Sequence, residues 1–364
     1  MNKTVLKLKQ HVLSTSLGQV LRDAWHNMHY TMAEARKAAI CYYGDDSLAK
    51  DMLDEARRHE VLFFEYRMYH FENLSDERRR SFIPLREAIK YIERLSPYKD
   101  SYLFYSKGET YRHFREYYKR DVIEIENFTE SEKYRLKEMA ECHKCLMFKP
   151  YDGAEGRGIM IKDFRNASLP IRQAQGELDQ DKTFETIWNS IRQDYKHGCV
   201  VEEIVKQSKE MNEIIPDVVN TLRVGTIVLD DRVEVVGTCW RCGRKGKVVD
   251  NGGSGGLVCG LDEKGVIVAV IAEDGTEYTT HPDTGKRLIG FQIPEYKEAL
   301  EFSRKLAMVC PQVRYVGWDL ALTDAGWIMI EGNADAHFGG WQIPLQTGFR
   351  PIIDPLMKEL GLKI

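Results

Sequence analysis

The chain contains the sequence Val316-Gly-Trp-Asp-Leu-Ala-Leu-Thr-Asp-Ala-Gly-Trp-Ile-Met-Ile-Glu-Gly-Asn333. Two apolar segments in it are each interrupted by one carboxylate, Asp319 or Glu331, and the turn residues Asp324-Ala-Gly326 lie between them. This turn predicts a hairpin with a three-residue loop and with its glycine in the left-handed conformation. We therefore expect two antiparallel strands that carry a pair of acidic side chains.

The register of this hairpin places polar side chains on one face. With a three-residue loop Thr323 faces Trp327, and Asp319 then lies opposite Glu331, with Cβ atoms about 5 Å apart. Asn333 follows two residues later and shares that face. Two adjacent carboxylates ionise together only beside a cation. Two carboxylates and an amide carbonyl suit Mg²⁺, although two polar residues that face solvent would give the same pattern.

A second polar feature begins at Lys149. This lysine ends a short apolar segment, and Gly153, Gly156 and Gly158 lie in the loop that follows. Glycines let a backbone approach an anion closely, and successive N–H groups can cradle a phosphate. The loop lacks both the Walker A pattern and the dinucleotide fingerprint. Taken alone, it indicates a plain hairpin as strongly as a phosphate site.

The composition excludes several classes of protein. The 364 residues carry a formal net charge of −4, so the chain lacks the basic footprint of a nucleic-acid-binding protein. No apolar run reaches the about 18 residues of a membrane-spanning helix. Residues 1–10 mix lysine with leucine and lack the features of a signal peptide. We expect a cytoplasmic protein with two or three subdomains.

The eight cysteines include two Cys-x-x-Cys pairs, Cys142/Cys145 and Cys239/Cys242. Together these pairs have the composition of a four-thiolate zinc site. The second pair lies in a strand-like segment, whose alternation turns its two cysteines to opposite faces. We favour reduced cysteines without a metal, and the zinc site stays open as the alternative.

The periodicity of apolar residues changes near Pro97. Residues 1–98 have helical spacing, and strands and helices alternate after them. The expected strands are at 145–150, 198–205, 221–229, 232–240, 258–261, 266–271, 315–322 and 327–331, and the expected helices at 185–195 and 295–309. The pattern predicts an α+β fold with mostly antiparallel sheets.

These elements resemble the ATP-grasp superfamily, in which two α+β subdomains grip ATP. The hairpin of Asp319, Glu331 and Asn333 looks like the metal-binding strands of that family. Lys149 and its glycine loop look like the phosphate-covering lid, and Lys107 matches the family's first nucleotide lysine. The resemblance implies that these residues bind ATP and Mg²⁺.

The segment 200–205 resembles the hinge strand of the same family. The resemblance implies that Glu202, Glu203 and Val205 bind the nucleotide, because backbone and acidic groups of this strand contact the adenine in the family. It also implies three parts of the chain. They are a helical N-terminal region (1–98), a small or lid subdomain (99–202) and a C-terminal subdomain with the metal and substrate site (203–364).

More specifically, the chain is similar to the sugar-transfer-associated ATP-grasp proteins of bacterial surface-polysaccharide loci. The matching stretches are 219–224, 250–256, 281–285 and 315–319. In glutathione-synthetase-like members, two arginines and an Asn-Gly-Gly loop surround the phosphates and the acceptor. The resemblance assigns these catalytic roles to Arg223, Arg241 and Asn251. The cysteines on both sides of Arg241 depart from the family pattern and weaken its assignment.

Several polar residues have weaker functional assignments. His281, His337 and Asp250 are candidates for contact with substrate, and His337 also for a base, but a structural role is as easily imagined for each. Glu210 is a candidate for the ribose of the nucleotide, and Arg157 for a phosphate.

The resemblance implies an ATP- and Mg²⁺-dependent ligase. It would form an amide from a carboxylate and an amine through an acylphosphate, with ADP as product, in cell-surface polysaccharide or related envelope biosynthesis. Its partners would be small-molecule or glycan-linked carboxylates and amines. One alternative is a kinase on the same fold that phosphorylates a sugar or polyol hydroxyl. The other is a nucleotide-binding module without turnover.

Overall fold

Two antiparallel sheets form the framework of the protein. The structure is a computed structural model that describes residues 30–151, 158–164, 180–216, 218–246, 250 and 255–363. Every strand pairing within these ranges is antiparallel, and the α+β class predicted from the sequence is confirmed. No helix within the same ranges is both long enough and apolar enough to cross a membrane.

The described elements begin with a helical region and continue with the two sheets. The helices before the first strand are α1 (Met32–Tyr43), α2 (Ala49–His59), α3 (Phe63–Met68), α4 (Asp76–Ser81), α5 (Leu85–Leu95), α6 (Tyr98–Ser101) and α7 (Lys107–Tyr118), with short 3₁₀ helices at Phe71–Asn73 and Tyr102–Tyr105. The elements of the small sheet are β1 (Val122–Ile125), α8 (Glu130–His143), β2 (Cys145–Pro150), β3 (Met160–Asp163), α9 (Gln180–Asp194) and β4 (Cys199–Glu203). The remaining elements are α10 (Lys209–Asn212), β5 (Thr221–Val228), β6 (Val233–Cys242), β7 (Leu257–Leu261), β8 (Ile267–Ala272), α11 (Tyr296–Ala307), β9 (Tyr315–Thr323), β10 (Gly326–Asn333), α12 (Gly339–Leu345) and α13 (Arg350–Glu359).

The small sheet has the strand order β1–β4–β2–β3. One of its faces packs against α8 and α9, where Leu136 and Ile191 meet Phe148 and Val201 in one apolar cluster. Helix α8 begins at a capping box, because Thr129 and Glu132 each accept the other's backbone N–H. The sheet is therefore anchored on one face and presents its other face to the rest of the molecule.

The large sheet has the order β10–β9–β5–β6–β7–β8 and is covered on both faces. Helix α11 packs on one face, in the cluster that holds Trp318 and Leu320. Helices α5, α12 and α13 pack on the other face, in the cluster that holds Tyr315. This double cover explains why β9 is buried along its whole length except at Thr323, and why its single carboxylate lies inside the protein.

The hairpin of β9 and β10 differs from the predicted register. Thr323 pairs with Gly326, one residue earlier than predicted, although the glycine is left-handed as expected, with a φ of 89°. A bulge at Ile330 then takes up the extra residue, so that Asp319 still pairs with Glu331. The predicted opposition of the two carboxylates is confirmed, and the three-residue loop used to predict it is wrong.

The N-terminal helices have their own apolar core, centred on Tyr66, Phe71 and Phe82. Gln342 of α12 joins this core to the large sheet. Its side chain accepts the backbone N–H groups of Ile83 (2.9 Å) and Phe349 (3.0 Å) and donates to the carbonyl of Ile83 (2.9 Å). One fully buried amide therefore satisfies backbone groups from both regions.

Replacement of Gln342 should weaken this junction. We expect Gln342→Ala to lower the free energy of unfolding by about 3 kcal/mol, because buried backbone groups lose their partners. Chemical denaturation measures the change. Gln292 is exposed, and its amide donates to the carbonyls of Lys264 and Ile293, so Gln292→Ala is the matched control, with a loss below about 0.5 kcal/mol. Equal losses in the two variants would contradict the role of Gln342.

Candidate active site

A buried ion cluster lies on the small sheet. Lys149 of β2 and Glu202 of β4 are 7% and 3% exposed, and Nζ of Lys149 lies 2.8 Å from Oε2 of Glu202. Arg120 donates to the same oxygen from Nε (2.9 Å) and Nη2 (2.7 Å). Burial opposes ionisation of Glu202, but Arg120 and Lys149 lower its pKa to about 2. The carboxylate is therefore charged at neutral pH, between two cations.

A second ion cluster lies on the large sheet, on the face covered by α5 and α12. Arg223 of β5 and Asp319 of β9 are partners in register, and the guanidinium of Arg223 binds both oxygens of this carboxylate. Arg241 of β6 lies 3.2 Å from Asp319 and donates to Asp250 at 2.9 Å. Burial alone would raise the pKa of Asp319, but the two arginines hold it below its usual value. Asp319 is thus ionised in the absence of any other cation.

Glu331, on the strand that pairs with the Asp319 strand, forms a further ion pair with Lys107. Ser106 caps α7 by accepting the N–H of Glu109 (3.4 Å), which makes Lys107 the first helical residue. Nζ of Lys107 lies 3.6 Å from Oε1 of Glu331, whose side chain is 42% exposed. Asn333 donates from Nδ2 to Asp319 at 3.3 Å. The three predicted metal ligands and the first predicted nucleotide lysine are therefore brought together.

The charge of Glu331 acts on both clusters. Burial and, less strongly, the charge of Arg120 lower the pKa of Lys149, and the negative charges of Glu202 and Glu331 oppose that shift. Burial likewise acts to lower the pKa of Arg223, but Asp319, with a smaller contribution from Glu331, raises it on balance. The two clusters therefore form one continuous electrostatic region at the boundary of the sheets.

Other predicted nucleotide residues have different surroundings. Gly153, Gly156 and Asn251, and also Arg157, lie outside the described residues. Gly158 is exposed and left-handed (φ 73°), and its carbonyl accepts the hydroxyl of Tyr195 at 2.8 Å. The strand expected at 198–205 ends at Glu203, so Val205 is half-buried in the following loop.

Glu203 points away from the Lys149 cluster. Its Oε1 lies 3.4 Å from Nδ1 of His143, whose Nε2 lies 2.6 Å from Asp121. The two carboxylates contact different nitrogens of one imidazole, and one ligand atom from each of the three side chains lies within 4.8 Å of the others. The side chain of Glu203 is 30% exposed, which leaves it at the surface of the hinge strand.

Two residues with weaker predictions have structural contacts. His281 is fully buried; one ring nitrogen faces the carbonyl of Gly243 (2.9 Å) and the other accepts the N–H of Asp283 (3.2 Å). Asp250 accepts the N–H and hydroxyl of Thr221 at 2.8 and 2.5 Å. His281 therefore has a structural contact at each nitrogen. Asp250 joins Thr221 of β5 to Arg241 of β6.

The two remaining candidates, His337 and Glu210, differ in burial. His337 is half-buried, and its charge influences the carboxyl of Asp335, whose pKa burial raises. Glu210 is exposed at the short helix α10. The charges of Arg223 and Glu331 also act on the carboxyl of Asp335, so His337 and Asp335 lie near the second cluster.

The two Cys-x-x-Cys pairs do not form a zinc site. Cys142 is exposed at the end of α8 and Cys145 begins β2, whereas Cys239 and Cys242 belong to apolar clusters on opposite faces of β6. All four are free thiols in this structure. The alternation of the second pair was readable from the sequence and is confirmed.

Sequence reasoning missed Arg120. It stands in the charged string Lys119-Arg120-Asp121 after α7, where local pattern suggests solvated side chains. In the structure only 3% of its side chain is exposed. Its partners Glu202 and Met329 are far away in sequence, so no local signal identifies it.

The arrangement suits an anionic ligand that carries a divalent cation. Lysine and arginine side chains at the sheet boundary can bind phosphate oxygens. The Asp319–Glu331 pair with Asn333 supplies oxygen ligands of the kind that Mg²⁺ takes. Two antiparallel sheets with these groups between them define an ATP-grasp protein.

The sequence comparison agrees with this class. Residues 86–357 match the family described as sugar-transfer associated ATP-grasp, and the chain belongs to that family. The resemblance stated from the sequence is thereby confirmed. Among curated proteins, none matches the sequence significantly.

Solved structures with a similar arrangement are ATP-grasp enzymes at low identity. D-alanyl-alanine synthetase A from Vibrio cholerae O1 biovar eltor str. N16961 has 11% identity and a TM-score of 0.44, over 72% of this chain and 66% of that chain. The ATP-grasp ligase PsnB, complexed with minimal precursor, Mg and ADP, has 12% identity and a TM-score of 0.37, over 70% and 59%. D-alanine–D-alanine ligase from Bacillus anthracis complexed with ATP has 12% identity and a TM-score of 0.39, over 72% and 68%. The chain thus spans less than two thirds of the first two structures.

The ion cluster of Glu202 gives the stability a defined pH dependence. The folded-state pKa of about 2 lies below the ordinary value of 4.5, so this contribution is complete above pH 4.5 and is lost as pH falls towards 2. We expect Glu202→Gln to lower the free energy of unfolding by about 3 kcal/mol at pH 7, because two buried cations lose their counterion. The difference from wild type should shrink below pH 4.5, as urea unfolding at several pH values can measure.

Glu203→Gln provides the matched control for this experiment. Glu203 follows Glu202 on the same strand but is partly exposed, so we expect a loss below about 1 kcal/mol. A difference between wild type and Glu202→Gln that stays constant from pH 7 to pH 3 would contradict an ionised Glu202.

Proposed function

We propose that the protein is an ATP- and Mg²⁺-dependent ligase that joins a carboxylate to an amine. The observation that carries the proposal is the pairing in register of Asp319 with Glu331. This pair lies among Lys107, Arg223 and Arg241. Phosphoryl transfer requires positioned cations far more than covalent help from the protein, and this site is built of positioned cations.

The metal ligands are Asp319, Glu331 and Asn333. The donor set fits Mg²⁺ because Asp319 is held ionised, Glu331 is its partner in register, and the Asn333 amide, whose Nδ2 donates to Asp319 at 3.3 Å, also carries an oxygen. When bound, Mg²⁺ supplies charge neutralisation for the phosphates. Arg223 already fixes the orientation of Asp319, so the protein itself determines where the ligand oxygens lie.

The nucleotide lies between the two sheets in this proposal. Lys107 and Lys149 bind its phosphates, with Gly153, Gly156 and Gly158 in the covering loop. The backbone of the segment that holds Glu202, Glu203 and Val205, together with one of its acidic side chains, contacts the adenine. The division into a helical region (1–98), a lid subdomain (99–202) and a C-terminal subdomain (203–364) follows from this placement.

The reaction begins with attack of a substrate carboxylate on the γ-phosphorus, which gives an acylphosphate and ADP. An amine then attacks the acyl carbon, and inorganic phosphate leaves as the amide forms. Arg223, Arg241 and Asn251 neutralise and orient the transferring group and the acceptor. The family description supports substrates linked to sugars, and we place the enzyme in the cytoplasm, in cell-surface polysaccharide or related envelope biosynthesis.

Transfer to a hydroxyl is the second candidate. A kinase would use the same cations, and the contacts of Arg223 and Arg241 favour neither acceptor over the other. The two reactions differ in their products, because a ligase releases inorganic phosphate and a kinase makes a stable phosphoester.

The metal site can be tested through Glu331, whose side chain is partly exposed and has Lys107 as its ion-pair partner. Titration calorimetry with ADP should show that Mg²⁺ strengthens binding to the wild type. We expect Glu331→Gln to reduce this enhancement about tenfold, since a charged ligand is lost. Glu301→Gln, at an exposed ion pair on α11, should behave as wild type. An undiminished enhancement in Glu331→Gln would remove Glu331 from the metal site.

Hydroxylamine distinguishes the two reactions. It attacks an acylphosphate to give a hydroxamate, and it does not attack a phosphoester. With ATP, Mg²⁺ and a carboxylate substrate found by screening for ADP release, we expect hydroxamate even when no natural amine is present. A stable phosphorylated product without hydroxamate would establish the kinase. Nucleotide binding without ADP release across the screen would instead favour a binding module.

A further inference from the structure

Arg120 lies at the junction of the two sheets. It follows Lys119, whose left-handed conformation (φ 45°) ends α7 and turns the chain towards β1. The guanidinium stacks on Tyr118, 4.4 Å from the ring centroid. Nη1 donates to the carbonyls of Tyr118 (3.1 Å) and Met329 (2.7 Å). A buried arginine with this many defined partners is fixed in place.

One carboxylate serves two cations in this cluster. Nε and Nη2 of Arg120 and Nζ of Lys149 all lie within 2.9 Å of Oε2 of Glu202. If Lys149 and Glu202 were alone, the buried pair would be neutral. The full negative charge of the carboxylate would then act on the Lys149 ammonium. With Arg120 present, the three groups carry a net positive charge. The Lys149 ammonium therefore retains attraction for a second anion.

The same arginine also contacts the strand that carries Glu331. Within the described sheets β10 is an edge strand, so its outward carbonyls lack a strand partner on that side. Lys119 donates to the carbonyl of Trp327 (3.2 Å), and Arg120 to that of Met329, immediately before the bulge at Ile330. Lys119 and Arg120, at the end of α7, thus supply the hydrogen-bond donors that a neighbouring strand would supply to the part of β10 next to Glu331.

We infer that Arg120 is a positioning residue: by sharing Glu202 with Lys149 it leaves the Lys149 ammonium able to bind a nucleotide phosphate, and it holds the Glu331 strand beside that ammonium. The inference rests on the proposed function, because it requires that Lys149 contacts phosphate. Arg120 itself acts through Glu202 and Met329 and touches no substrate.

The test is a double-mutant cycle on nucleotide affinity. The full chain is titrated with the non-hydrolysable ATP analogue AMPPNP and Mg²⁺ in a calorimeter. We expect Arg120→Met to weaken binding about tenfold, which is the effect of one charge-assisted contact. Arg120→Lys keeps the charge next to Glu202 and should stay within about threefold of wild type. In a Glu202→Gln background, Arg120→Met should weaken binding less than it does in the wild type, because the shared carboxylate is gone and only the contact with the Met329 carbonyl remains to be lost.

Controls separate this role from folding and from the proposed function. Arg232→Met removes an exposed arginine paired with Glu359 and should bind as wild type. If circular dichroism shows that Arg120→Met does not fold, Arg120→Gln is used in its place, because it keeps a donor for the carbonyl of Met329. The inference would be overturned if Arg120→Met bound AMPPNP as tightly as the wild type. It would also be overturned if Arg120→Met lost as much affinity in the Glu202→Gln background as in the wild type. Neither result would contradict the proposed function. Failure of the wild-type chain to bind AMPPNP would overturn both.

Discussion

Asp319 and Arg223 face each other in register across the two central strands of the site, inside a sheet covered on both faces. A carboxylate buried there without a partner would cost several kcal/mol, and the bidentate arginine with Arg241 offsets that cost. The partnership also fixes register. A slip of one residue would turn Asp319 into the apolar layer beneath α11 and bring Trp318 to the site. The bulge at Ile330 is consistent with this constraint, because it keeps the partner strand aligned after a turn that alone would misplace it.

Further charged side chains lie between this pair and the small sheet, and each of them has an ion-pair partner among the contacts described. The described ion pairs join five cations to four carboxylates: Lys107, Arg120, Lys149, Arg223 and Arg241 with Glu202, Asp250, Asp319 and Glu331. These nine side chains therefore carry an excess of positive charge, which lies where the two sheets meet. A site so balanced attracts an anion, and its two opposed carboxylates provide a place for the cation that accompanies a nucleotide.

The sequence was sufficient for the elements whose signals are local. The apolar segments of β9 and β10 and the strand of Lys149 each lie within a few residues, and each is present as predicted. The pairing of Asp319 with Glu331 was predicted correctly, but the loop length was not. The bulge that restores the pairing leaves no local signature in the sequence. The partners of Asp319 and Arg120 come from distant strands, and no spacing rule reports them. His281 shows the same limit, since only the fold reveals that both its ring nitrogens have backbone contacts.

The two carboxylates that oppose each other in register are therefore unequal. Asp319 is 1% exposed and is held by two arginines, so its position is set before any ligand arrives. Glu331 is partly exposed and has one long-range partner, Lys107, on the first turn of α7. An ammonium on a flexible stem gives way to a metal ion more readily than a bidentate guanidinium does. In the proposed metal site Glu331 is thus the adjustable ligand, and its strand is held by Arg120, which shares Glu202 with Lys149. Through this side chain, rather than through a shared strand, the strand of the proposed metal ligand Glu331 is tied to Lys149, the lysine proposed to bind phosphate.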